Sequence, residues 1–325
     1  MNKMKNLILS CLSIMLCMTI SAQTVSFVPN WKKGDNASFN YEQKEAKKSG
    51  GEASNVVTSL VINLKVVNKD ANGYTMNASF ANPKQTGADE MTAALFKIYD
   101  GLSFDYKLDA TGKLIGFADS AKVIAEMTEI YKKLMKDYPI LALGLGLMGD
   151  SSSDVYLAGL LDEVAYIHSL NGMTLETNKP AEIKGNKTTS FGFDVPASYK
   201  YTLESVKGNI ANVSCSSLLK NEDIMPAFIE FGIQIASNVM KSLSSMLQEE
   251  GSKDKVDMDN IIQQQRSEIE KKYKETFDLN MADNFNYSFD NTSKWITSLS
   301  GIKTIKGKAE DNAINVVTEI KITKK

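Results

Sequence analysis

Leu60-Val61-Ile62-Asn63-Leu64-Lys65-Val66 alternates without a break, and after Asn68-Lys69-Asp70-Ala71-Asn72-Gly73 the alternation resumes at Tyr74, Met76, Ala78 and Phe80. A period of two places Leu60, Ile62, Leu64 and Val66 on one face of a strand and Val61, Asn63 and Lys65 on the other. Asn72-Gly73 supplies the positive-φ residues that a tight connection needs, so the stretch reads as an antiparallel hairpin with one face buried. A second hairpin follows, with strands at Leu102–Leu108 and Lys113–Phe117 around the turn Asp109-Ala110-Thr111-Gly112.

The period then changes to that of a helix. Val123, Ile124, Met127, Ile130, Tyr131, Leu134 and Met135 form an apolar stripe, capped by Asp119 or Ser120 and stopped by Pro139. A further helix is expected from about Ser153 to Leu170, with Leu157, Leu160, Leu161, Val164 and Ile167 inward. Strands return at Ser190–Phe193, Tyr199–Leu203 and Ile210–Leu218. They give way to a long apolar helix from Glu222 to about Gln248, a charged break over 249–257, and a polar helix at Met258–Lys274. Phe285, Tyr287 and Phe289, then Ile296–Ile305, then Ile314, Val316, Ile320 and Ile322 close the chain as strands.

Trp31-Lys32-Lys33-Gly34-Asp35 leading into Phe39 and Tyr41 is echoed by Ile183-Lys184-Gly185-Asn186 leading into Phe191, Phe193, Tyr199 and Tyr201. The pattern predicts an α+β fold: a twisted antiparallel sheet from two related β modules, with helical insertions packed on one face. The first module spans 23–172 and includes a helical hairpin. The second spans 173–325, with a long helical insertion at about 222–276.

Residues 1–22 read as a signal peptide: Lys3 and Lys5, an apolar run from Leu7 to Ile20, then Ser21-Ala22. Export with cleavage after Ala22 is expected, to the periplasm or beyond. Lipidation at Cys11 is disfavoured, because almost no apolar core precedes it. The run is too short and too interrupted to remain as an anchor, and no transmembrane segment is expected in the mature chain. Removal of Lys3 and Lys5 takes the net charge from −2 to −4. The mature chain keeps one His (His168), one Arg (Arg266) and one Cys (Cys215), so it cannot form an internal disulfide. A positive charge carried almost wholly by lysine, with no basic excess, argues against nucleic acid as a partner.

Lys33-Gly34-Asp35, Gly73-Tyr74, Asp109-Ala110-Thr111-Gly112-Lys113 and Asp290-Asn291-Thr292-Ser293-Lys294-Trp295 together resemble the recurring marks of a family of exported β-rich proteins of Gram-negative bacteria. The family has no established activity. The resemblance therefore implies export and β architecture but no mechanism.

Few residues offer side-chain chemistry. Gly144-Leu145-Gly146-Leu147-Met148-Gly149 matches G-x-G-x-x-G, but it follows a helix ended by Pro139 rather than a parallel strand, so it reads as an apolar helix-to-helix connection. His168 is expected at a helix end, favoured by the dipole or bonded to a carbonyl. Asp70–Gly73, Asp109–Gly112 and Asp290–Lys294 read as Asx turns, and neither metal nor cofactor is expected. Asp162-Glu163 and Glu249-Glu250 read as surface acids, with no acid and base assigned. The candidate ligand-binding residues are Met225, Phe228, Ile229, Met240 and Met246 on the long helix, because methionine and aromatic side chains suit apolar pockets.

The leading functional expectation is a non-enzymatic envelope protein that binds a hydrophobic or extended ligand, such as a lipid, by shape. The alternative is a structural or interaction module for another envelope or surface protein. The third is a hydrolase with no visible motif.

Overall fold

The computed structural model describes residues 22–138, 152–188, 194–248, 258–309 and 312–325. The signal segment over 1–21, the glycine-rich 144–149 motif, the charged break and the expected strand at 190–193 lie outside the described residues.

The fold is dominated by one large antiparallel sheet of eleven strands. The first half of the chain supplies β2 (Asn36–Ser49), β3 (Glu52–Asp70), β4 (Gly73–Thr86), β5 (Ser103–Asp109) and β6 (Leu114–Phe117). The second half supplies β8 (Ala181–Thr188), β9 (Asp194–Lys207), β10 (Ile210–Leu219), β11 (Phe277–Asp290), β12 (Trp295–Ala309) and β13 (Asn312–Lys324). Their order is β6-β5-β4-β3-β2-β13-β12-β11-β10-β9-β8. The two ends of the chain meet at β2 and β13, which pair from Phe39↔Lys324 to Ser49↔Ile314. A small second sheet joins β1 (Thr24–Ser26) to β7 (Thr174–Glu176).

The α+β expectation is corrected by this architecture: the protein is mostly β, and its helices are few. The reason is strand length. Alternation over 60–66 marks only the buried stretch of a 19-residue strand, whose first residues, from Glu52 to Asn55, are exposed on both faces. The ends of β2, β4 and β12 are likewise polar, so their hydrogen-bonded ladders leave no apolar period to read. The described helices are α1 (Glu90–Phe96), α2 (Ser120–Asp137), α3 (Ser152–His168), α4 (Asn221–Gln248) and α5 (Met258–Thr276).

The main core lies on one face of the sheet. Phe39, Ile62, Leu64, Met76, Tyr106, Leu299 and Ile322 are buried there, and α3 adds Leu160, Val164 and Ile167 at helical spacing. Trp31 stacks on Trp295 with centroids 4.0 Å apart, and Trp31 Nε1 donates to the Ser293 carbonyl at 3.1 Å. Phe27, just past β1, meets Phe289 edge-on at 4.8 Å. A smaller cluster of Val195, Ala197, Leu219, Ile224 and Met281 forms where α4 leaves the sheet, with Phe228 and Ile305 packed against it.

Gly301 sits opposite Phe285 in the ladder, and a Cβ there would overlap the Phe285 ring. The aromatic ring covers the glycine backbone and takes the space that a side chain would need.

Candidate functional site

One lateral row of the sheet breaks the apolar alternation of its buried face. Strand register aligns Tyr199 (β9), Ser217 (β10), Asp283 (β11), Lys303 (β12), Thr318 (β13) and Glu45 (β2) as successive neighbours. The next row on one side is Cys215, Phe285, Gly301 and Ile320; on the other it is Leu219, Met281, Ile305 and Val316. A belt of polar side chains therefore runs across the face between two apolar zones, and it separates the main core from the smaller cluster.

Burying polar and charged groups this way is costly unless they are paired. Asp283, 4% exposed, receives a 2.6 Å ion pair from Lys187 Nζ at its Oδ2. Burial pulls the Lys187 ammonium down from the usual lysine range, and Asp283 opposes that pull. Among the described residues, Asp283 Oδ1 and Ser217 Oγ are shut off from solvent without a hydrogen-bond partner. Lys303 faces Asp283 across the ladder, yet its hydrogen bond goes to Tyr166 Oη at 3.2 Å, and among the described residues it forms no ion pair within 4.0 Å. Burial works against the Lys303 ammonium, but Tyr166 and Asp283 outweigh it and hold the pKa above the usual value.

Helix α3 roofs this belt. Leu160, Val164 and Ile167 fix its rotation by entering the core, which leaves Gly159, Glu163 and Tyr166 as a second stripe at i, i+4 and i+7. Gly159, Asp162, Glu163 and Tyr166 line a cavity of about 480 Å³ together with Tyr41, Lys187, Asp283 and Lys303. Its apolar lining comes from Leu279, Met281, Ile305, Ile314, Val316 and Ile320, and Glu45 and Lys47 also border it. Glu163 accepts from Tyr99 Oη at 3.4 Å through Oε1, while Oε2 is shut off from solvent and unpartnered among the described residues. Burial pushes the Glu163 carboxyl up to about 8, so it is largely protonated at neutral pH. Tyr41 and Tyr99 are raised well above the ordinary phenol range, first by burial and then by the nearby Glu163.

The residues expected from sequence lie elsewhere. Met225 and Ile229 are buried with Ile233 in a third cluster against Phe228, Tyr273 and Phe277. They also line an open groove between α4 and α5 of about 710 Å³. Phe228 also packs on the cluster that holds Met281, one of the residues lining the cavity. The side chains of Met240 and Met246 lie outside the described residues.

His168 is 3% exposed. Its Nε2 lies 2.8 Å from Tyr106 Oη and its Nδ1 lies 3.0 Å from Asn171 Nδ2, which also donates to the Gly112 carbonyl. Because the Asn171 amide can only donate, Nδ1 accepts and Nε2 carries the proton. Burial pushes its pKa down to about 3, so the ring is neutral; it stands in the last turn of α3, as expected, with Tyr106 and Asn171 rather than a carbonyl at its ring nitrogens.

The polar belt was legible in one respect. Asp283 occupies an inward position in the series Leu279, Met281, Asp283, Phe285, Tyr287, Phe289, where an apolar residue is due. Glu163 gave no such sign, and its reading as a surface acid is corrected. Sequence spacing could not show that a tyrosine from the 3₁₀ turn Lys97–Tyr99 covers it. Among the described residues, no group of three or more His, Cys, Asp or Glu could hold a metal ion.

No protein-family model matches the chain, and no curated protein matches it. A solved structure described as "lipid-protein interactions in lipovitellin" is similar over 91% of this chain and 25% of that chain, at 9% identity and a TM-score of 0.41. The chain thus spans about a quarter of that protein, and a likeness this shallow carries no weight for fold or function.

Proposed function

We propose that this chain is an exported, non-enzymatic binding protein that holds an amphipathic, elongated ligand in the cavity beneath α3. The observation that carries this reading is the composition of the cavity wall. An apolar floor of Met281, Ile305, Ile314 and Val316 runs directly into a belt where buried polar atoms have no partner among the described residues. Native structures leave few such atoms unsatisfied, so a site with two of them, Asp283 Oδ1 and Glu163 Oε2, next to an apolar floor suits a ligand with one apolar and one polar end. A volume of about 480 Å³ falls in the range of small-molecule sites. Export is supported by the arrangement of residues 1–22, and among the described residues no helix is long and apolar enough to cross a membrane.

The test is mass spectrometry of the full chain, expressed with its own signal and purified without detergent. A stoichiometric amphipathic small molecule should be released on denaturation, and Val316→Trp, which fills the cavity, should abolish its retention while leaving the fold intact. Repeated recovery of ligand-free protein that also fails to take up any added amphipath would sink the reading.

A further inference from the structure

We infer that the polar end of the cavity is a carboxylate site, with Lys303, Tyr166 and Glu163 as its ligands, so that the bound molecule is a long-chain carboxylic acid. The inference deepens the binding reading and rests on it.

The charges around the belt comprise one ion pair and one ammonium outside it. Lys187 Nζ meets Asp283 Oδ2 at 2.6 Å, while Asp283 Oδ1 has no hydrogen-bond partner among the described residues. Lys303 lines the same cavity, and among the described residues only the Tyr166 hydroxyl is hydrogen-bonded to it, leaving N–H donors to spare. An ammonium largely withdrawn from water is most stable beside an anion, and none of the described carboxylates lies within 4.0 Å of it. Three donors can converge on one acceptor group here: the Lys303 ammonium, the Tyr166 hydroxyl that shares it, and Oε2 of Glu163. Glu163 can donate because its other oxygen is occupied by Tyr99 and because burial keeps it protonated. Asp162, exposed beside Glu163, and Glu45 stand at the cavity border as negative groups that an incoming carboxylate must pass. Beyond the donors, Met281, Ile305 and Val316 continue as an uninterrupted apolar row for the chain. An alcohol would satisfy fewer of the donors, and a quaternary ammonium would face Lys303 as a like charge.

Isothermal titration calorimetry on the full chain with dodecanoate, dodecanol and dodecyltrimethylammonium, each below its micellar concentration, tests the site. Dodecanoate should bind tightest, by at least about tenfold over dodecanol. Lys303→Met should reduce dodecanoate to the affinity of dodecanol and leave dodecanol within about twofold, while Lys303→Arg should keep most of the preference. The wild-type comparison needs no variant, so a misfolded Lys303→Met does not spoil it. If the chain binds dodecanol or the ammonium as tightly as dodecanoate, the carboxylate site is wrong and the apolar binding reading stands. If none of the three binds, both fall.

Discussion

Lys187 and Asp283 lie 2.6 Å apart although their strands, β8 and β11, are separated in the sheet by β9 and β10. The register explains how. Lys187 pairs with Val195, beyond the last β9 residue that β10 covers, so the β8–β9 hairpin overhangs the end of β10 and turns its lysine onto β11. Removing one partner leaves the other charge buried and alone. Asp283→Ala should therefore cost about 3–5 kcal/mol in urea unfolding, whereas Lys187→Met with Asp283→Leu should return to within about 1–2 kcal/mol of the native chain. A neutral single variant would show that the pair is not held in solution.

Glu163 makes stability depend on pH with an inverted sign for an acid. Its folded pKa of about 8 lies above the ordinary value of 4.5, so between those limits the unfolded chain gives up a proton that the folded chain keeps. The contribution of Glu163 is complete below about 4.5 and is lost as pH rises toward 8, on the order of 1 kcal/mol per pH unit at the steepest. Glu163→Gln should flatten this slope in a series of melts between those pH values, and an unchanged slope would refute the assignment.

His168 acts in the opposite direction. Its pKa falls from 6.5 to about 3 in the folded protein, so its contribution is complete above 6.5 and is lost as pH drops toward 3. Comparing melts at pH 7 and pH 4, His168→Phe should lose stability at neutral pH, by roughly 1–3 kcal/mol for the unpaired Tyr106 and Asn171, yet show less acid sensitivity than the native chain. Equal acid sensitivity in both would show that His168 is accessible to protons.

The Gly301–Phe285 contact predicts that Gly301→Ala is destabilising despite the better strand propensity of alanine, because the new methyl group displaces the ring. A loss of about 1–3 kcal/mol is expected, reversed in part by Phe285→Leu in the same chain. Additive losses would mean that the two positions do not touch.

Legibility in the sequence followed apolar periodicity. The hairpin at 60–80 and helices α2 and α4 appear close to where their patterns place them, because each buries one face and leaves the other wet. The full extent of the sheet was hidden, since the polar ends of β2, β3 and β12 are held by ladder hydrogen bonds that do not depend on side-chain type. The carboxyl of Glu163 was hidden for a related reason. Nothing local distinguishes it from its exposed neighbour Asp162; it is covered by Tyr99, 64 residues away in the chain.

By itself the sequence determined the strand alternation, the Asx turns at Asp70–Gly73 and Asp109–Gly112, and the poverty of reactive side chains, because these depend on residues adjacent in the chain; of Asn72 and Gly73, only Gly73 takes the expected positive φ. Tertiary structure alone decided that β2 meets β13 in one continuous sheet, and that Ser217, Asp283, Lys303 and Thr318 form a single polar row beneath α3. Register between distant strands sets which side chains become neighbours, and register is fixed by the packing of the whole buried face rather than by any one segment.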